Sequence, residues 1–328
     1  MTSGDGVTRA RTAPGDVVDA HVHLFSLPLF REFIEKHPDA DPRWRKALED
    51  GKWGRRSESL PDLDAAAMAQ WYAARLDDAG IAQAVVVSVL ADSQYTRDFI
   101  AASAGRVAAL CNLDPRSPEA PALLEREMAA GFKGVKLLPV NRCYRLSDPA
   151  CRPFFEKAAS LGAAITVHYG VTVDPSGDLR YADPTDLSPV ARDFPEITFV
   201  IAHFGAGYLH EALRLGYQCK NVCLDSSGTN NWMDYDPHGY TLPQVFERAI
   251  TALGPERVLF GTDSGTTGPY RRWIAYQQRR VLEELGLSAA DRDLVLRANA
   301  VRIFRLDGRA QGRRSDELGQ AQRGARVR

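Results

Sequence analysis

Two histidines that stand one residue apart, His21 and His23, lie near the start of the chain in the sequence Asp-Ala-His-Val-His. They close an apolar run typical of a buried β-strand, in which successive side chains point to opposite faces. Both imidazoles are therefore expected on one face of the strand, where they can share a metal ion. A His-x-His pair alone is a weak signal, so its meaning depends on where other ligand-type residues fall.

Three further ligand-type residues, His168, His203 and Asp263, also close predicted strands. In a parallel barrel the C-terminal ends of the strands surround the active site. Imidazoles and a carboxylate, without thiolates, suit Zn²⁺, with Mn²⁺ or Fe²⁺ as alternatives, and leave a coordination position open for catalysis. We therefore expect a catalytic divalent metal at this edge, and the expected ligands are His21, His23, His168 and Asp263.

The strands that carry these residues are eight Val- and Ile-rich runs, each followed by a segment with helical spacing. This order is typical of βα units, and near-continuous hydrophobicity is typical of strands buried on both faces. The sequence thus predicts an α/β fold, a single-domain (β/α)8 TIM barrel. The predicted strands cover residues 17–23, 81–89, 107–112, 134–138, 163–168, 197–203, 222–225 and 258–263.

The predicted helices and the ends of the chain complete this organisation. Three helices end at a glycine, a common C-terminal residue of helices, and a fourth packs on the barrel wall; they cover residues 63–78, 118–130, 149–161 and 289–306. The barrel is expected to occupy residues 16–306. Residues 1–15 and 307–328 are expected to be disordered tails, since 307–328 in particular almost lack large apolar side chains.

The connection after the first strand is long: 37 residues lie between His23 and Pro61, where roughly two to six are usual. It is rich in aromatic residues, including Trp44 and Trp53. We favour a cap over the barrel mouth, with both tryptophans contacting substrate, because the segment leaves the metal-bearing end of the strand. The alternative is a short helix over residues 29–36 that packs on the outside of the barrel.

These motifs together resemble the amidohydrolase superfamily, and in particular its amidohydrolase-related branch, similar to aminocarboxymuconate semialdehyde decarboxylase. The resemblance extends over residues 17–304, and the motifs that carry it are Asp-Ala-His21-Val-His23, Thr-Val-His168-Tyr-Gly, Ile-Ala-His203-Phe-Gly, Gly-Thr-Asp263 and Asn299-Ala-Val-Arg-Ile-Phe. It implies metal binding by His21, His23, His168 and Asp263. It also implies that His203 acts as an acid/base residue beside the metal.

Lys136, at the end of the fourth predicted strand, leaves the number of ions open. In binuclear members of the superfamily a carboxylated lysine at this place bridges two ions, and His168 and His203 would then hold the second one. Alternatively, Lys136 keeps its ammonium group and pairs with a substrate carboxylate or with Asp225. Either arrangement places Lys136 at the barrel mouth.

Other polar side chains near the predicted strand ends are candidate substrate-binding residues. An arginine there can bind a carboxylate through two hydrogen bonds. Together with the two tryptophans, the candidates are Arg142, Arg145, Tyr169 and His238, whereas His37 and His210 are assigned to surface or helix positions.

The predicted reaction is hydrolysis of an amide, lactone or ester bond in a small molecule. A divalent ion lowers the pKa of bound water from about 15.7 towards about 7. Asp263 would accept the proton, while His203 polarises the carbonyl or protonates the leaving atom. The same residues allow an alternative, decarboxylation of a small unsaturated or aromatic carboxylic acid. A metal-binding protein without activity is a third class, and the complete set of ligands argues against it.

Composition makes small molecules the default ligands of this protein. The formal net charge of -1 shows no basic excess for nucleic acid or membrane surfaces. No stretch approaches the roughly 18 apolar residues of a membrane span. Five cysteines without a Cys-x-x-Cys pair indicate reduced thiols and a cytoplasmic protein. The sequence is compatible with a homo-oligomer and does not specify its size.

Overall fold

Eight parallel strands form one sheet in which each strand pairs with the next along the chain. The structure, a computed structural model, describes residues 17–38, 42–52, 59–88, 92–172, 174, 176–228, 232–266 and 270–306. The predicted disordered tails therefore lie outside the described residues. The strands are Val18–His23 (β1), Gln83–Val87 (β2), Val107–Asn112 (β3), Gly134–Leu137 (β4), Ala164–Val167 (β5), Phe199–Ile201 (β6), Val222–Asp225 (β7) and Val258–Leu259 (β8).

The sheet closes between its last and first strands. The amide of Asp263 donates to the His21 carbonyl at 3.0 Å, and the amide of His23 donates to the Ser264 carbonyl at 2.8 Å. A parallel sheet closed in this way, with helices between its strands, is a (β/α)8 barrel. The predicted fold is confirmed.

Helices connect the strands and surround the barrel. They are Leu27–Lys36 (α1), Pro42–Asp50 (α2), Ala65–Ala79 (α3), Gln94–Ala102 (α4), Ala120–Ala129 (α5), Pro139–Arg142 (α6), Arg152–Leu161 (α7), Ser188–Asp193 (α8), Leu209–Gln218 (α9), Leu242–Leu253 (α10), Arg272–Glu284 (α11), Ala289–Asp293 (α12) and Asn299–Ile303 (α13). Two predicted glycine stops are present, because Gly80 and Gly162 follow α3 and α7 with left-handed backbones, at φ 69° and 59°.

The last predicted helix, over residues 289–306, is interrupted in the structure. Between α12 and α13 the segment Leu294–Ala298 is a π-helical turn. The carbonyl of Val295 accepts the amide of Phe260 at 2.9 Å, so it is engaged by the chain leaving β8. This tie to the barrel explains why regular α-helical hydrogen bonding stops there.

The core has two layers, one on each side of the strands. Side chains such as Val18, Ala20 and Leu259 fill the barrel interior, where Phe304 and Leu306 from the end of the described chain join them. The opposite faces of the strands pack against the helices. Both faces are buried, as the continuous hydrophobicity of the runs predicted.

The segment after β1 folds into α1 and α2 and lies across the barrel mouth. It has a small core of its own, formed by Phe25, Leu27, Phe30, Trp44, Ala47, Leu48 and Leu60. Arg43 of α2 donates to Asp174 at 2.8 Å, and Asp174 follows β5, which faces β1 across the barrel. The ring of Phe25 stacks on His23, with centroids 5.6 Å apart. We call the described part of this segment, residues 24–38, 42–52, 59 and 60, the cap.

Trp44 lies within the cap rather than over an open pocket. Its ring packs on Phe33 and Phe30, at centroid distances of 4.2 and 5.0 Å. These contacts favour a structural role, and its predicted contact with substrate stays a prediction. Trp53 lies outside the described residues. Within the described residues, no helix is long and apolar enough to span a membrane.

Trp44→Ala should loosen the cap and leave the barrel intact. Removing a partly buried tryptophan from this small core should cost about 2 kcal/mol of local stability, which raises amide exchange in α1 roughly 30-fold. Hydrogen-exchange mass spectrometry checks this, with the exposed Tyr276→Ala as the control. Equal exchange of α1 in Trp44→Ala and wild type would contradict the assignment of Trp44 to the cap core.

Candidate metal centre

A β-bulge near the end of β1 turns its two histidines into the barrel. Ala20 packs in the barrel interior, whereas Val22 packs outside against the helices. The pairing of β1 with β2 shifts by one residue in this stretch. Two residues of β1 therefore lie opposite one residue of β2, as in a β-bulge. As a result His21 follows Ala20 on the inner side, and His23 shares that face. Without the bulge, strict alternation from Ala20 would point both histidines outwards.

The first group of candidate ligands joins β1 to the chain that follows β8. His23 Nε2 lies 3.0 Å from Asp263 Oδ1, and ligand atoms of His21, His23 and Asp263 all lie within 4.8 Å of one another. The predicted strand over 258–263 ends earlier, at Leu259, and Asp263 has a left-handed backbone with φ 56°. The side chain is thus presented by a turn rather than by a strand.

The second group is the pair His168 and His203, whose Nδ1 and Nε2 atoms are 3.2 Å apart. His203 does not end a strand as predicted, because β6 stops at Ile201 and His203 lies in the turn Ala202–Gly205 with φ 58°. His203 Nδ1 lies 2.8 Å from the Ser227 carbonyl. Because a carbonyl only accepts, Nδ1 carries the proton and Nε2 offers a lone pair to the site.

Lys136 lies between the ligand groups and is almost completely buried, at 1% exposure. Its Nζ is 3.3 Å from His21 Nε2. Burial lowers the pKa of the Lys136 amine to about 8. A larger fraction of this amine is therefore neutral at neutral pH than for a lysine in water.

Asp225, at the end of β7, supports both groups, a role that sequence reasoning missed. Its Oδ2 lies 2.8 Å from His21 Nδ1, and its Oδ1 accepts the backbone amides of His203 and Ser227, each at 3.0 Å. The bond to Nδ1 leaves His21 Nε2 as the nitrogen that faces Lys136. The position of Asp225 at a strand end was the available sequence signal for this role, but the partner expected from the sequence was Lys136 and not His21.

Burial keeps the imidazoles of His21, His168 and His203 neutral. Burial, followed by the charge of Lys136, lowers the pKa of His21 to about 3, and burial also lowers the pKa values of His168 and His203. Burial raises the pKa of Asp225, but its interactions with His21 outweigh this and hold it below the usual range. Neutral imidazole is the form that binds metal ions.

Arg271 is a second residue that sequence reasoning missed. It directly precedes α11, and its Nη1 lies 3.3 Å from Asp263 Oδ2. Its side chain is only 14% exposed. A guanidinium group therefore lies within reach of an anion bound at this end of the barrel. The only signal was its position in the loop after the eighth strand.

Two candidate substrate-binding residues lie after β4. Arg142 donates to Asn112 at 2.7 Å, and Arg145 is half exposed, with Nη1 3.8 Å from Asp186. Tyr169, which directly follows His168, is fully buried, and its hydroxyl donates to Asp186 at 3.4 Å. These contacts go to Asn112 at the end of β3 and to Asp186 rather than to the candidate ligands.

His238, the remaining candidate, lies on the surface after β7. Its ring stacks on Tyr240 at a centroid distance of 5.4 Å, and its Nδ1 lies 2.9 Å from Asp236. These contacts are separate from the candidate ligands. Substrate contacts by His238, Arg142, Arg145 and Tyr169 therefore stay predictions.

The two ligand groups fit divalent metal ions. Two nitrogen ligands of one tetrahedral Zn²⁺ lie about 3.3 Å apart, given metal–nitrogen distances of about 2.05 Å. The separations are 3.0 Å for His23 and Asp263 and 3.2 Å for His168 and His203. All donors are nitrogen or oxygen atoms, which suit Zn²⁺, Mn²⁺ and Fe²⁺ alike.

The sequence model of the amidohydrolase family matches residues 18–306. This chain therefore belongs to the amidohydrolase family, and the family predicted from its motifs is confirmed. No curated protein matches the chain significantly in sequence.

Solved structures share the fold at low sequence identity. One is described as a candidate 2-pyrone-4,6-dicarboxylic acid hydrolase from Pseudomonas putida, with 20% identity, a TM-score of 0.58, and 89% and 98% of the two chains covered. Another, 5-carboxyvanillate decarboxylase from Sphingomonas paucimobilis, has 16% identity and a TM-score of 0.61, covering 89% and 99%. The 5-carboxyvanillate decarboxylase from Novosphingobium aromaticivorans, complexed with manganese and a nitrobenzoic acid, has 13% identity and a TM-score of 0.58, covering 89% and 96%.

Replacing both His21 and His23 with alanine should remove at least one equivalent of divalent metal per chain, because two of the three candidate ligands of the first group are lost. Elemental analysis after dialysis measures the stoichiometry, with circular dichroism to confirm folding. The control is His37→Ala, an exposed histidine at the end of α1. An unchanged metal content in the double variant would refute the assignment.

Proposed function

We propose that this protein is a metal-dependent hydrolase acting on an amide, lactone or ester bond of a small molecule. The observation that carries the proposal is the convergence of His21, His23 and Asp263 on one point. The pair His168 and His203 lies beside them. Nitrogen and carboxylate donors with room for a water molecule are typical of catalytic metal sites.

The ligand groups would hold Zn²⁺, Mn²⁺ or Fe²⁺, which supplies Lewis acidity and hydroxide at neutral pH. Asp263 is suited to proton transfer, because its two oxygens have different partners: Oδ1 faces His23 and Oδ2 faces Arg271. Asp263 would accept a proton from the attacking water and return it to the leaving atom.

His203 would act first as a ligand or a base. The hydrogen bond from Nδ1 to the Ser227 carbonyl supports an Nε2 without a proton. A neutral Nε2 can accept a proton or bind an ion, and it polarises a carbonyl or protonates a leaving atom only after gaining a proton. This order refines the role expected from the sequence.

The number of ions depends on Lys136. His21 Nε2 has one lone pair, which can serve Lys136 or an ion but not both. Carboxylation would convert Lys136 from a competing cation into an anionic ligand, and burial favours the neutral amine that this reaction needs. The pair His168 and His203 would then hold a second ion. With one ion, Lys136 would instead turn towards a substrate carboxylate.

We further propose that the substrate is a small carboxylated molecule. The nearly buried Arg271 places a cation beside Asp263, where it can bind a carboxylate. Carboxylated molecules also appear in the names of the structural neighbours. Decarboxylation is the second candidate, and the likeness to 5-carboxyvanillate decarboxylase favours it. In that reaction a carbon–carbon bond breaks, CO₂ leaves, and a proton replaces it on carbon.

Isotope incorporation distinguishes the two reactions. When carboxylated lactones, esters and amides react in H₂¹⁸O, hydrolysis should place ¹⁸O in the new carboxylate without releasing CO₂. Asp263→Asn should slow this reaction by about 10²- to 10⁴-fold, whereas His37→Ala should not. Release of CO₂ from aromatic carboxylates, with deuterium on the product carbon in a parallel reaction in D₂O and no ¹⁸O in the product from H₂¹⁸O, would reject hydrolysis in favour of decarboxylation.

His203→Asn distinguishes one ion from two. With one ion, the variant should keep its metal and lose rate by about 10²- to 10⁴-fold, the usual range for a general acid or base. With two ions bridged by Lys136, it should also release about one equivalent of metal. Metal content and rate are measured on one preparation, and a variant with full metal and full activity would defeat both arrangements.

A further inference from the structure

The carboxylate of Asp19 lies on the outer side of the β1 bulge and is fully buried. A bulge leaves the backbone of its extra residue outside the regular ladder. Here the amide of His21 donates to Asp19 Oδ1 at 3.1 Å. The side chain of Asp19 thus supplies the acceptor that a neighbouring strand would otherwise provide.

The same carboxylate also binds the chain that follows β8. The amide of Thr262 donates to Asp19 Oδ1 at 3.1 Å, and the Thr262 hydroxyl donates to Oδ2 at 2.5 Å. The hydroxyl of Tyr270 donates to Oδ2 as well. Thr262 directly precedes Asp263. On the β1 side of the closure, the Asp19 carboxylate therefore binds the backbone amide of a candidate ligand, His21. On the β8 side it binds the amide of the residue directly before another candidate ligand, Asp263.

We propose that Asp19 is a positioning residue of the metal centre. By binding both the β1 bulge and the Thr262 backbone, it orients the first group of candidate ligands, His21, His23 and Asp263. This inference rests on the proposed metal-dependent function. Backbone hydrogen bonds, including those from Ala20 to Phe260 and from Asp263 to His21, also join β1 to the chain after β8. Asp19 supplies the side chain that binds both the bulge and Thr262.

The chemistry of the position explains why a carboxylate is needed. Burying a carboxylate costs several kcal/mol unless donors surround it, and an apolar side chain could not accept the His21 amide. Without that acceptor, the unpaired amide would favour loss of the bulge. A one-residue shift of β1 would then turn His21 and His23 to the outer face of the barrel.

The test uses the full chain with Asp19→Asn and Co²⁺ as the probe. Asparagine keeps the size of the side chain but places an NH₂ group against the hydroxyl donors of Thr262 and Tyr270. Affinity, measured by chelator competition, should fall by about 10- to 100-fold, the usual scale for residues that orient metal ligands. The visible Co²⁺ spectrum, which reports ligand geometry, should also change.

The control is Asn299→Ala. The Asn299 side chain donates to the carbonyls of Pro255 and Val258, at the opposite end of β8. Its loss should lower the melting temperature without changing Co²⁺ affinity. If Asp19→Asn does not fold, Thr262→Val is tested in its place, because it removes one hydroxyl donor to Asp19. Its affinity for Co²⁺ should fall, by less than is expected for Asp19→Asn.

The inference would be overturned if the folded Asp19 variant kept wild-type Co²⁺ affinity and an unchanged Co²⁺ spectrum. The same holds for Thr262→Val if that variant is used. The proposed function would remain in either case. If the wild-type protein binds no Co²⁺, Zn²⁺ or Mn²⁺, the proposed function fails instead. The inference is then decided by the NMR signal of the His21 Nδ1 proton bonded to Asp225. Loss or displacement of this signal in the same variant supports the positioning role, and an unchanged signal refutes it.

Discussion

Closure of the sheet between β8 and β1 is the constraint on which the rest of the structure depends. His23 and Asp263 are 240 residues apart in the chain, and an open sheet would place them at opposite edges. In the closed barrel they lie side by side, at the end of the barrel where the C-terminal residues of the strands lie. The backbone amides of Ala20, His23 and Asp263 donate hydrogen bonds across this closure. Buried side-chain hydrogen bonds, above all those of Asp19, complete the closure.

Burial at this end of the barrel determines what the side chains can do. Histidines removed from water stay neutral, so their lone pairs are available for metal ions or protons. Asp225 and the Ser227 carbonyl then decide which ring nitrogen faces the site. Left-handed backbones at His203 and Asp263 cost on the order of 1–3 kcal/mol each, and such strain persists where the surrounding structure enforces it, often at functional sites.

The cap borders this site at the barrel mouth. It leaves β1 directly after the paired histidines, places the Phe25 ring on His23, and reaches the far side of the mouth through Arg43 and Asp174. Its own core is small, so its stability depends on a few aromatic contacts. Such a segment can limit the access of water to the ligands while the barrel beneath it stays rigid.

The sequence by itself determined the elements of this protein and the family to which it belongs. Hydrophobic runs and glycine stops depend on local chemistry, so all eight strands and the order of the motifs could be predicted. Only the tertiary structure decided how the side chains face one another. At the β1 bulge, Asp19 accepts from the nearby His21 amide and from Thr262 in the distant chain after β8. The turn at His203 replaces a predicted strand end, and Arg271 contacts Asp263. These outcomes depend on contacts between residues far apart in the chain, and no local pattern of residue types specifies them.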